Sequence, residues 1–372
     1  MDLHFDKLLA GIIPQKKGVG VVGIDIGTAF IKVVQLHKKN GKAVLDTYGQ
    51  VALGPSANLE VGQATSLPVE KIVEVINDLF VEAKVTSRDL VFSLPLTSAL
   101  VSVIEMPDMP PEKLKQMIPL EARKYIPIPI TEVSLSHWVI PRLTRTYIDP
   151  DKEDTGKGAT PQVEVLLVAI HNDILARYTD IATRLGCTSA AFEIEIFSTI
   201  RSTLGREGSP TMLVDIGAAT TRVVIIEEGV VRSAHSVSVG SQDVTLALSR
   251  ARGVSILEAE ELKRRFGLLV NSEDPSVSEI TRLAMERIFS EASRIFVNYQ
   301  NAKRVSIASV ILTGGGSLMN GIIDVAQKNF ETSVLHGTAF ASIEAPAVIA
   351  PLLVESGPEF AVAVGLALRK LP

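Results

Sequence analysis

A short motif occurs twice along the chain, and this repetition restricts the possible fold more than any other feature. Residues 21–34 read VVGIDIGTAFIKVV, and residues 211–224, which lie 190 positions later, read TMLVDIGAATTRVV. The Asp-Ile-Gly step and the closing pair of valines recur, and Lys32 aligns with Arg222. Each copy is an apolar run, a tight turn and a second apolar run, which is the pattern of a β-hairpin. Repetition over this distance indicates a duplicated fold with two similar halves.

Strands and helices alternate after each hairpin. In each half the sequence predicts a third strand, a helix with one apolar face and a further buried strand. Chains that alternate in this way form α/β layers, and a ligand cleft between two such halves is the default expectation. The predicted elements are third strands at Ala43–Val51 and Val230–Val239, helices at Pro68–Ala83 and Thr281–Gln300, and strands at Leu90–Leu94 and Ser309–Thr313.

A segment of different character, about Ser98–Tyr178, interrupts the first half. It contains an alternating strand at 101–107, a helix at about 112–125, and two strands that bracket Asp149–Thr160. The Asp, Lys and Gly content of that bracketed stretch predicts an exposed, mobile hairpin loop. These elements indicate a small inserted α+β module with Trp138 in its core. A mostly helical stretch, 241–304, is predicted as an insertion in the second half.

Composition excludes several classes of function. The chain has 37 Lys and Arg against 42 Asp and Glu, a net charge of −5, and so lacks the basic surplus typical of nucleic-acid-binding proteins. Its one cysteine, Cys187, can form neither an intrachain disulfide nor a cysteine-based zinc site. The longest stretch without Asp, Glu, Lys or Arg, 19 residues at Val305–Ile323, is interrupted by glycines and polar residues. No membrane-spanning helix is therefore expected.

The two hairpins are the first candidates for chemistry. An Asp that ends a strand and is followed by x-Gly places a carboxylate beside a turn whose backbone N–H groups can bind phosphate. Two facing hairpins of this kind would hold a polyphosphate from both sides. Asp25 and Asp215 would bind Mg²⁺ directly or through its waters, and Lys32 would supply a mobile cation. The alternative interpretation is a pair of ordinary hairpins with Asp-x-Gly turn chemistry.

A third glycine motif, Gly314-Gly315-Gly316-Ser317, follows the strand predicted at 309–313. Bare backbone at the turn from a strand into a helix can accept a flat base or a ribose phosphate. Taken alone, such a motif is often only a tight turn. Its position about 100 residues after the second hairpin, within the same half, makes it a candidate for the nucleoside side of the same cleft.

The three motifs in this order resemble those of a known superfamily. The segments DIGT, DIGA and TGGGS resemble the two phosphate motifs and the adenosine motif of actin, the sugar kinases and Hsp70. Residues 193–197 (EIEIF) and 363–367 (AVGLA) resemble its two connecting helices. The resemblance implies an α/β chain with a duplicated actin-like (ribonuclease H-like) two-lobed fold, and it implies ATP and Mg²⁺ as cofactors.

Within this superfamily the chain is most similar to the PilM family of type IV pilus assembly, which is related to FtsA. The similarity lies in GIDIGT and IKVVQL at 23–36, SLP at 93–95, EMP at 105–107, EARKYIP at 121–127 and AEELK at 259–263. It implies that the inserted module is a subdomain of SHS2 type, called IC. The implied division is an N-terminal segment 1–17, subdomain IA (18–97, 179–207 and 350–372), IC (98–178), IIA (208–240 and 305–349) and IIB (241–304).

The resemblance also implies roles for individual residues. Glu193 and Glu195 are the two candidates to orient an attacking water, and activity is expected to be at most a slow ATPase. Asp25 and Asp215 are the candidate metal ligands. Gly240 is followed by Ser241, at a position where family members often have a second glycine. The expected cofactor-binding residues are Asp25, Gly27, Thr28, Lys32, Asp215, Gly217, Thr220, Thr221, Gly240, Glu260, Lys263, Gly314, Gly315, Gly316 and Ser317.

The implied function is that of an ATP-binding cytoplasmic scaffold at the inner face of the inner membrane. Its implied partner is the cytoplasmic N-terminal peptide of the inner-membrane protein PilN, held in a groove between IC and IA. Other inner-membrane pilus assembly proteins and self-association are further expectations, whereas nucleic acid is not. Two alternatives stay open, an FtsA-like filament-forming cell-division protein and a small-molecule kinase of the same superfamily.

One apolar stripe near the N-terminus allows two interpretations. Phe5, Leu8, Leu9, Ile12 and Ile13 follow helical spacing, but Gly11 and Pro14 limit the length of any helix. The stripe would either pack on its own domain or dock on a membrane or partner. With only Lys7, Lys16 and Lys17 nearby, the attraction to anionic lipid would be weak. The membrane is therefore expected to be reached through the partner.

Overall fold

Each predicted hairpin forms the centre of its own sheet. The structure is a computed structural model that describes residues 20–141, 161–187, 189–205, 208–270 and 274–371. The N-terminal apolar stripe and the loop predicted at 149–160 lie outside the described residues. Strand β1 (Val21–Ile26) pairs antiparallel with β2 (Phe30–Lys39), and β9 (Thr211–Ile216) pairs antiparallel with β10 (Thr221–Glu227).

The register of the two hairpins is the same. Asp25 lies opposite Lys32 across the first hairpin, and Asp215 lies opposite Arg222 across the second. Residues directly opposite each other in an antiparallel pair have their side chains on the same face of the sheet. The duplication therefore places a carboxylate and a cation side by side at the turn end of both hairpins.

Three sheets are formed by the described strands. Lobe I is built on a six-stranded sheet of order β14-β3-β2-β1-β4-β8, and lobe II on a five-stranded sheet of order β11-β10-β9-β12-β13. The inserted module is a three-stranded sheet of order β5-β7-β6. The remaining strands are β3 (Lys42–Ala52), β4 (Asp89–Leu94), β5 (Ala99–Pro107), β6 (Val133–Val139), β7 (Gln162–His171), β8 (Ser189–Ile194), β11 (Val230–Val237), β12 (Ser309–Thr313), β13 (Ser333–His336) and β14 (Ile343–Glu344).

Helices form where the apolar spacing predicted them, and one of them is longer than predicted. The helix predicted at 281–300 is longer, because it begins with a proline in its first turn at residue 275 and continues to 303. The helices are α1 (Val69–Glu82), α2 (Pro111–Ala122), α3 (Asn172–Arg184), α4 (Glu195–Thr203), α5 (Ser241–Arg252), α6 (Ile256–Phe266), α7 (Pro275–Lys303), α8 (Ile322–Phe330) and α9 (Ala350–Arg369).

The inserted module packs on both lobes. One face of its sheet, which includes Val165 and Leu167, forms a small core with α2, whereas Leu166 and Ile170 on the other face join the large core shared with lobes I and II. Trp138 does not belong to either core, because 48% of its surface is exposed on the edge strand β6. The prediction of a core position for Trp138 was therefore wrong. The IC boundary proposed at 178 falls inside α3, which is continuous there.

Helix α9 crosses the lobe I sheet and packs closely on both β1 and α4. A Cβ atom built at Gly23 would overlap the Ala363 carbonyl, and one at Gly365 would overlap the Ser198 carbonyl. Residues 347–369 are long and apolar enough, by length and composition alone, to cross a membrane. Half of the most apolar window of this segment is buried within the fold, as expected of a core helix.

Candidate functional site

Two adjoining cavities lie between the lobes, and Ala29, Phe30 and Ala218 line both. We call them the hairpin cavity, of about 590 Å³, and the glycine cavity, of about 680 Å³, both partly open to solvent. The hairpin cavity is lined by Asp25, Gly27, Thr28, Lys32, Glu195, Asp215, Gly217, Thr220, Arg222, Gly314 and Glu359, among others. The glycine cavity is lined by Gly62, Ser241, Glu260, Lys263, Arg264, Gly315, Gly316, Leu318 and Met319.

The hairpin turns owe their shape to glycine. The backbone N–H of Gly27 donates to the Phe30 carbonyl at 3.0 Å, and the N–H of Gly217 donates to the Thr220 carbonyl at 2.9 Å. A Cβ atom at either glycine would come within 2.8 Å of the same carbonyl oxygen, so no larger residue fits without a shift. Both turns therefore present bare backbone to the hairpin cavity.

Asp25 is oriented by the neighbouring strand. The Ser93 hydroxyl, at the end of β4, donates to Asp25 Oδ1 at 2.9 Å and accepts the Ile26 N–H at 3.3 Å. Hydrogen bonding by the serine fixes one carboxylate oxygen and leaves the other without a hydrogen-bond partner among the described residues. Ser93 was noted above only as part of the segment SLP, and no role was predicted for it.

Arg222 and Glu195 form a bidentate ion pair between the lobes. Arg222 Nε lies 2.8 Å from Glu195 Oε1, and Arg222 Nη2 lies 2.7 Å from Glu195 Oε2. The Leu96 N–H donates to Glu195 Oε1 at 2.9 Å, and Arg222 Nη1 lies 3.6 Å from Asp215 Oδ2. Both oxygens of Glu195 are thus engaged, and the guanidinium lies between two buried carboxylates.

Burial dominates the electrostatics of this group. It raises the pKa of Glu195 to about 7, against the attraction of Arg222, and the charges of Asp215 and Asp25 raise it further. Burial also raises the pKa of Asp215, opposed by Arg222 and Lys32 and supported by the nearby charge of Asp25. Burial works to lower the pKa of Arg222, but Glu195, Asp215 and Asp25 outweigh it and raise that pKa.

The two aligned cations differ in their partners. Whereas Arg222 is held by Glu195, Lys32 lines the hairpin cavity and makes no ion pair or hydrogen bond with any residue that the structure describes. Its ammonium group can therefore turn toward an anion in the cavity. The duplication gives each hairpin a cation, and only the one in lobe I is available to a ligand without breaking an existing pair.

The glycine cavity holds a buried polar cluster. Glu260 Oε2 lies 2.6 Å from Lys263 Nζ and accepts the Thr245 hydroxyl at 2.7 Å, while Oε1 accepts Arg264 Nε at 2.9 Å. Burial would raise the pKa of Glu260, but Lys263 and Arg264 outweigh it and lower that pKa.

Gly314 has a φ of +80°, and a Cβ atom there would overlap the Asp215 carboxylate, so this turn requires glycine.

Most predicted site residues line one of the two cavities, and four do not. Thr221 is buried and donates to the Val239 carbonyl at 2.8 Å, and Ser317 is buried and donates to the Gly314 carbonyl at 2.7 Å. Gly240 is packed beneath the second hairpin turn, where a Cβ atom would overlap Ala218. Glu193 lies on β8 and pairs with Arg201 at 2.7 Å. None of these four residues lines either cavity.

The sequence analysis missed several residues that line the cavities, among them Arg222, Arg264 and Gly62. Arg222 had a signal, because the repeat aligns it with Lys32. Arg264 follows the AEELK segment directly, but a single arginine on an exposed helix face carries no signal of its own. Gly62 lies in a connection without periodicity, and only the tertiary structure brings it to the cavity.

The donor set fits a magnesium ion bound mainly through a ligand. No group of three or more His, Cys, Asp or Glu that could hold a metal by itself occurs in the described part of the chain. Asp25 and Asp215 line one cavity and are close enough that the charge of one raises the pKa of the other. Mg²⁺ typically uses one or two carboxylates together with phosphate oxygens and water. Two facing carboxylates with excess negative charge satisfy that preference.

Two similar lobes with a cleft between their hairpins define a protein of the actin-like class. Similar solved structures agree with this class. One is titled "PilM-PilN type IV pilus biogenesis complex" (TM-score 0.78, 23% identity, 95% of this chain and 99% of that chain). Another is MreB 5 of Spiroplasma citri bound to AMPPNP (TM-score 0.55, 12% identity, 96% and 97%). At these identities the likeness concerns the fold.

The chain belongs to the family described as type IV pilus assembly protein PilM, which matches it over residues 23–371. Curated relatives include the cell division protein FtsA of Pseudomonas aeruginosa, which is 23% identical over 364 residues and covers 88% of this chain and 84% of that protein. The predicted actin-like fold and the predicted kinship with FtsA are both confirmed.

Proposed function

We propose that the chain binds ATP together with Mg²⁺ in the interlobe cleft and acts as a scaffold in type IV pilus assembly. The observation that carries the proposal is the pair of facing hairpin turns, each of which contributes an Asp and a Gly to the lining of the hairpin cavity. The similar MreB structure is bound to AMPPNP, which supports a nucleotide as the ligand.

The two cavities divide the nucleotide between them in this proposal. Asp25 and Asp215 would hold the Mg²⁺, which when bound neutralises phosphate charge, and Lys32 would contact the phosphates. Gly314, Gly315 and Gly316 would approach the nucleoside, and Glu260 and Lys263 the ribose. The lining of the hairpin cavity contains four carboxylates, Asp25, Glu195, Asp215 and Glu359, and two cations, Lys32 and Arg222. A polyphosphate is therefore expected to bind tightly only with a divalent cation.

The arrangement favours binding over turnover. A carboxylate that orients an attacking water needs a free oxygen at the phosphate. Both oxygens of Glu195 are engaged by Arg222, and Glu193 faces neither cavity. We therefore propose at most slow ATP hydrolysis, with the energy of nucleotide binding used to shift the population between open and closed lobes.

The proposed partner is the cytoplasmic N-terminal segment of PilN, bound in a groove between the inserted module and lobe I. The similar solved structure is titled as a complex of PilM with PilN, which supports a partner of this type. In this proposal the chain is cytoplasmic and lies at the inner face of the inner membrane through that partner. Its position at the membrane would then depend on the partner rather than on lipid binding of its own.

Isothermal titration with ATP, with and without Mg²⁺, tests the nucleotide proposal. Asp215→Asn and Lys32→Ala should each weaken ATP binding by at least about tenfold, because each removes a charge-assisted contact worth about 1.5–3 kcal/mol. The exposed variants Asp78→Asn and Lys115→Ala are matched controls and should bind as the wild type does. Equal affinity of all four variants, or no binding by the wild type, would contradict the proposal.

Titration with a synthetic peptide of the PilN N-terminus tests the partner. A complex is expected, and its absence would reject the scaffold proposal while leaving the nucleotide proposal intact. The FtsA-like alternative predicts nucleotide-dependent sedimentation of filaments. The kinase alternative predicts phosphoryl transfer to small sugars or acetate, so either result would favour the corresponding alternative.

A further inference from the structure

The connection between β3 and α1, residues 53–68, leaves lobe I and contacts lobe II beside the glycine cavity. We call it the strap. Two of its backbone N–H groups donate to the first hairpin turn. The Leu53 N–H donates to the Ala29 carbonyl at 2.9 Å, and the Thr65 N–H donates to the Thr28 carbonyl at 2.8 Å. Both ends of the strap are therefore fixed to the turn that presents Asp25 to the hairpin cavity.

The middle of the strap binds two helices of lobe II. Glu60 Oε2 accepts the N–H of Leu257 at 2.7 Å, in the first turn of α6. The Ala64 N–H donates to Gln242 Oε1, in the first turn of α5. The first N–H groups of a helix have no partner within the helix and attract negative charge. Ser255 caps α6 through the Glu258 N–H, and Glu60 supplies a second cap from the opposite lobe.

Between these two contacts the strap forms part of the cavity wall. Gly62 lines the glycine cavity with a φ of +93°, and a Cβ atom there would lie 3.2 Å from the Glu260 carboxylate. The turn around it is held locally, because the Glu60 N–H donates to Gln63 Oε1 at 2.8 Å. The strap therefore touches the same Glu260 that is proposed to contact the ribose.

Further contacts between the lobes run through α4 and α9 at the hairpin cavity. They include the Arg222–Glu195 pair and the bond from the Gly314 N–H to the Pro358 carbonyl, 2.9 Å long. The strap contacts lie at the glycine cavity instead and consist of single hydrogen bonds near the protein surface. Breaking them frees one wall of that cavity and leaves the contacts at α4 and α9 in place.

We infer that the strap is the gate through which a nucleoside enters and leaves the glycine cavity, and that the Glu60–Leu257 and Ala64–Gln242 hydrogen bonds hold it shut. The inference rests on the proposed nucleotide site. A contact that is made in the closed state and broken in the open state raises the barrier in both directions. Removing it increases the association and dissociation rates by the same factor and leaves their ratio unchanged.

Stopped-flow fluorescence with a methylanthraniloyl derivative of ATP measures both rates. For the double variant Glu60→Ala/Gln242→Ala, each rate constant should rise about 5- to 30-fold, as expected from the loss of one or two hydrogen bonds of about 1 kcal/mol each. The dissociation constant should change less than about twofold. The exposed residue Glu82, at the end of α1, provides the control Glu82→Ala, which should leave both rates unchanged.

Unchanged rates in the double variant would overturn the inference. So would a faster dissociation at constant association, because the strap would then be a simple binding contact. Absence of any binding by the wild type would instead refute the proposed nucleotide site.

A second measurement does not need the nucleotide. Spin labels at Leu59→Cys in the strap and Glu279→Cys in α7, in a Cys187→Ser background, report the distance between the strap and lobe II. Glu60→Ala/Gln242→Ala should broaden that distance distribution toward longer values in the nucleotide-free protein. An identical distribution in the two proteins would overturn the inference.

Discussion

The guanidinium of Arg222 in lobe II and the carboxylate of Glu195 in lobe I face each other through two hydrogen bonds, of 2.8 and 2.7 Å. Both side chains are largely buried at the hairpin cavity. A buried pair of this kind adds little net stability, but the loss of one partner leaves an uncompensated charge. Removal of either partner should therefore weaken the contact between the lobes.

The first prediction concerns pH. The folded-state pKa of Glu195, about 7, lies above the ordinary value of 4.5, so its protonation favours the folded state. This contribution is fully present below about pH 4.5 and is lost as the pH rises through about 7, a change of about 3 kcal/mol. Glu195→Gln removes the titration. In urea unfolding from pH 4.5 to 8, the stability of the wild type relative to Glu195→Gln should therefore fall.

The prediction would be contradicted if the difference in unfolding free energy between the wild type and Glu195→Gln stayed constant over that range or rose with pH. Glu193→Gln is the matched control, because Glu193 faces neither cavity. Its stability relative to the wild type should not follow the same pH dependence.

The second prediction concerns Arg232 of β11, which lies between two carboxylates. Its Nη1 is 2.6 Å from Glu164 Oε2 in the inserted module, and its Nε is 3.8 Å from Glu227 Oε2 in lobe II. Glu227 is buried, whereas the side chain of Glu164 is 44% exposed. Glu164→Gln should therefore cost less than about 1 kcal/mol in urea unfolding, and Arg232→Met about 3 kcal/mol.

The double variant Arg232→Met/Glu227→Gln distinguishes the contributions of the two carboxylates to stability. It should recover part of the stability lost in Arg232→Met, since no buried charge is then left without its cation. Equal losses for Glu164→Gln and Arg232→Met, or no recovery in the double variant, would show that Glu227 is not the residue that needs Arg232.

The third prediction concerns the crossing of α9 and α4. Because a Cβ atom at Gly365 would overlap the Ser198 carbonyl, Gly365→Ala should force the two helices apart and destabilise the protein by about 3 kcal/mol. Gly205→Ala is the control, since no described residue, apart from the chain neighbours of Gly205, has an atom within 4 Å of the position its Cβ would take. Thermal unfolding should show a clearly lower midpoint for Gly365→Ala only. Similar midpoints for both variants would contradict the predicted helix contact.

The fourth prediction concerns Ser93. Ser93→Ala removes the hydroxyl that orients Asp25 and should weaken ATP binding about 3- to 10-fold, which corresponds to one hydrogen bond of about 1 kcal/mol. Titration calorimetry measures the affinity, and the midpoint of thermal unfolding should change little. Ser56→Ala, at an exposed strap position, is the control and should bind normally. Normal binding by Ser93→Ala would exclude a positioning role.

The features that could be predicted from sequence are local ones. The hairpins, their register and the helices α1 and α7 follow from turns and apolar spacing over fewer than about 30 residues. The repeat also paired Lys32 with Arg222 correctly. It could not show that Arg222 is bound to Glu195, because that contact depends on how the lobes are placed.

Two failures have identifiable causes. Trp138 was assigned to a core because large aromatic residues are usually buried, but β6 is the edge strand of its sheet. Only residues 363–367 of α9 were identified with a connecting helix, yet α9 begins at residue 350 and accommodates Pro351 in its first turn, where no backbone donor is required. Pro358 inside α9 is also tolerated, and its carbonyl accepts the Gly314 N–H and the Thr313 hydroxyl.

The large core has a consequence for attempts to dissect the chain. Leu166 and Ile170 of the inserted module pack in the same apolar cluster as Ile226 and Val230 of lobe II and Phe92 of lobe I. Excising residues 98–178 would therefore uncover apolar surface on both lobes at once, and a truncated protein would aggregate. Lobe I, lobe II and the inserted module are expected to unfold together in one cooperative calorimetric transition. A subdomain of this molecule is therefore a unit of shape and not a unit of folding.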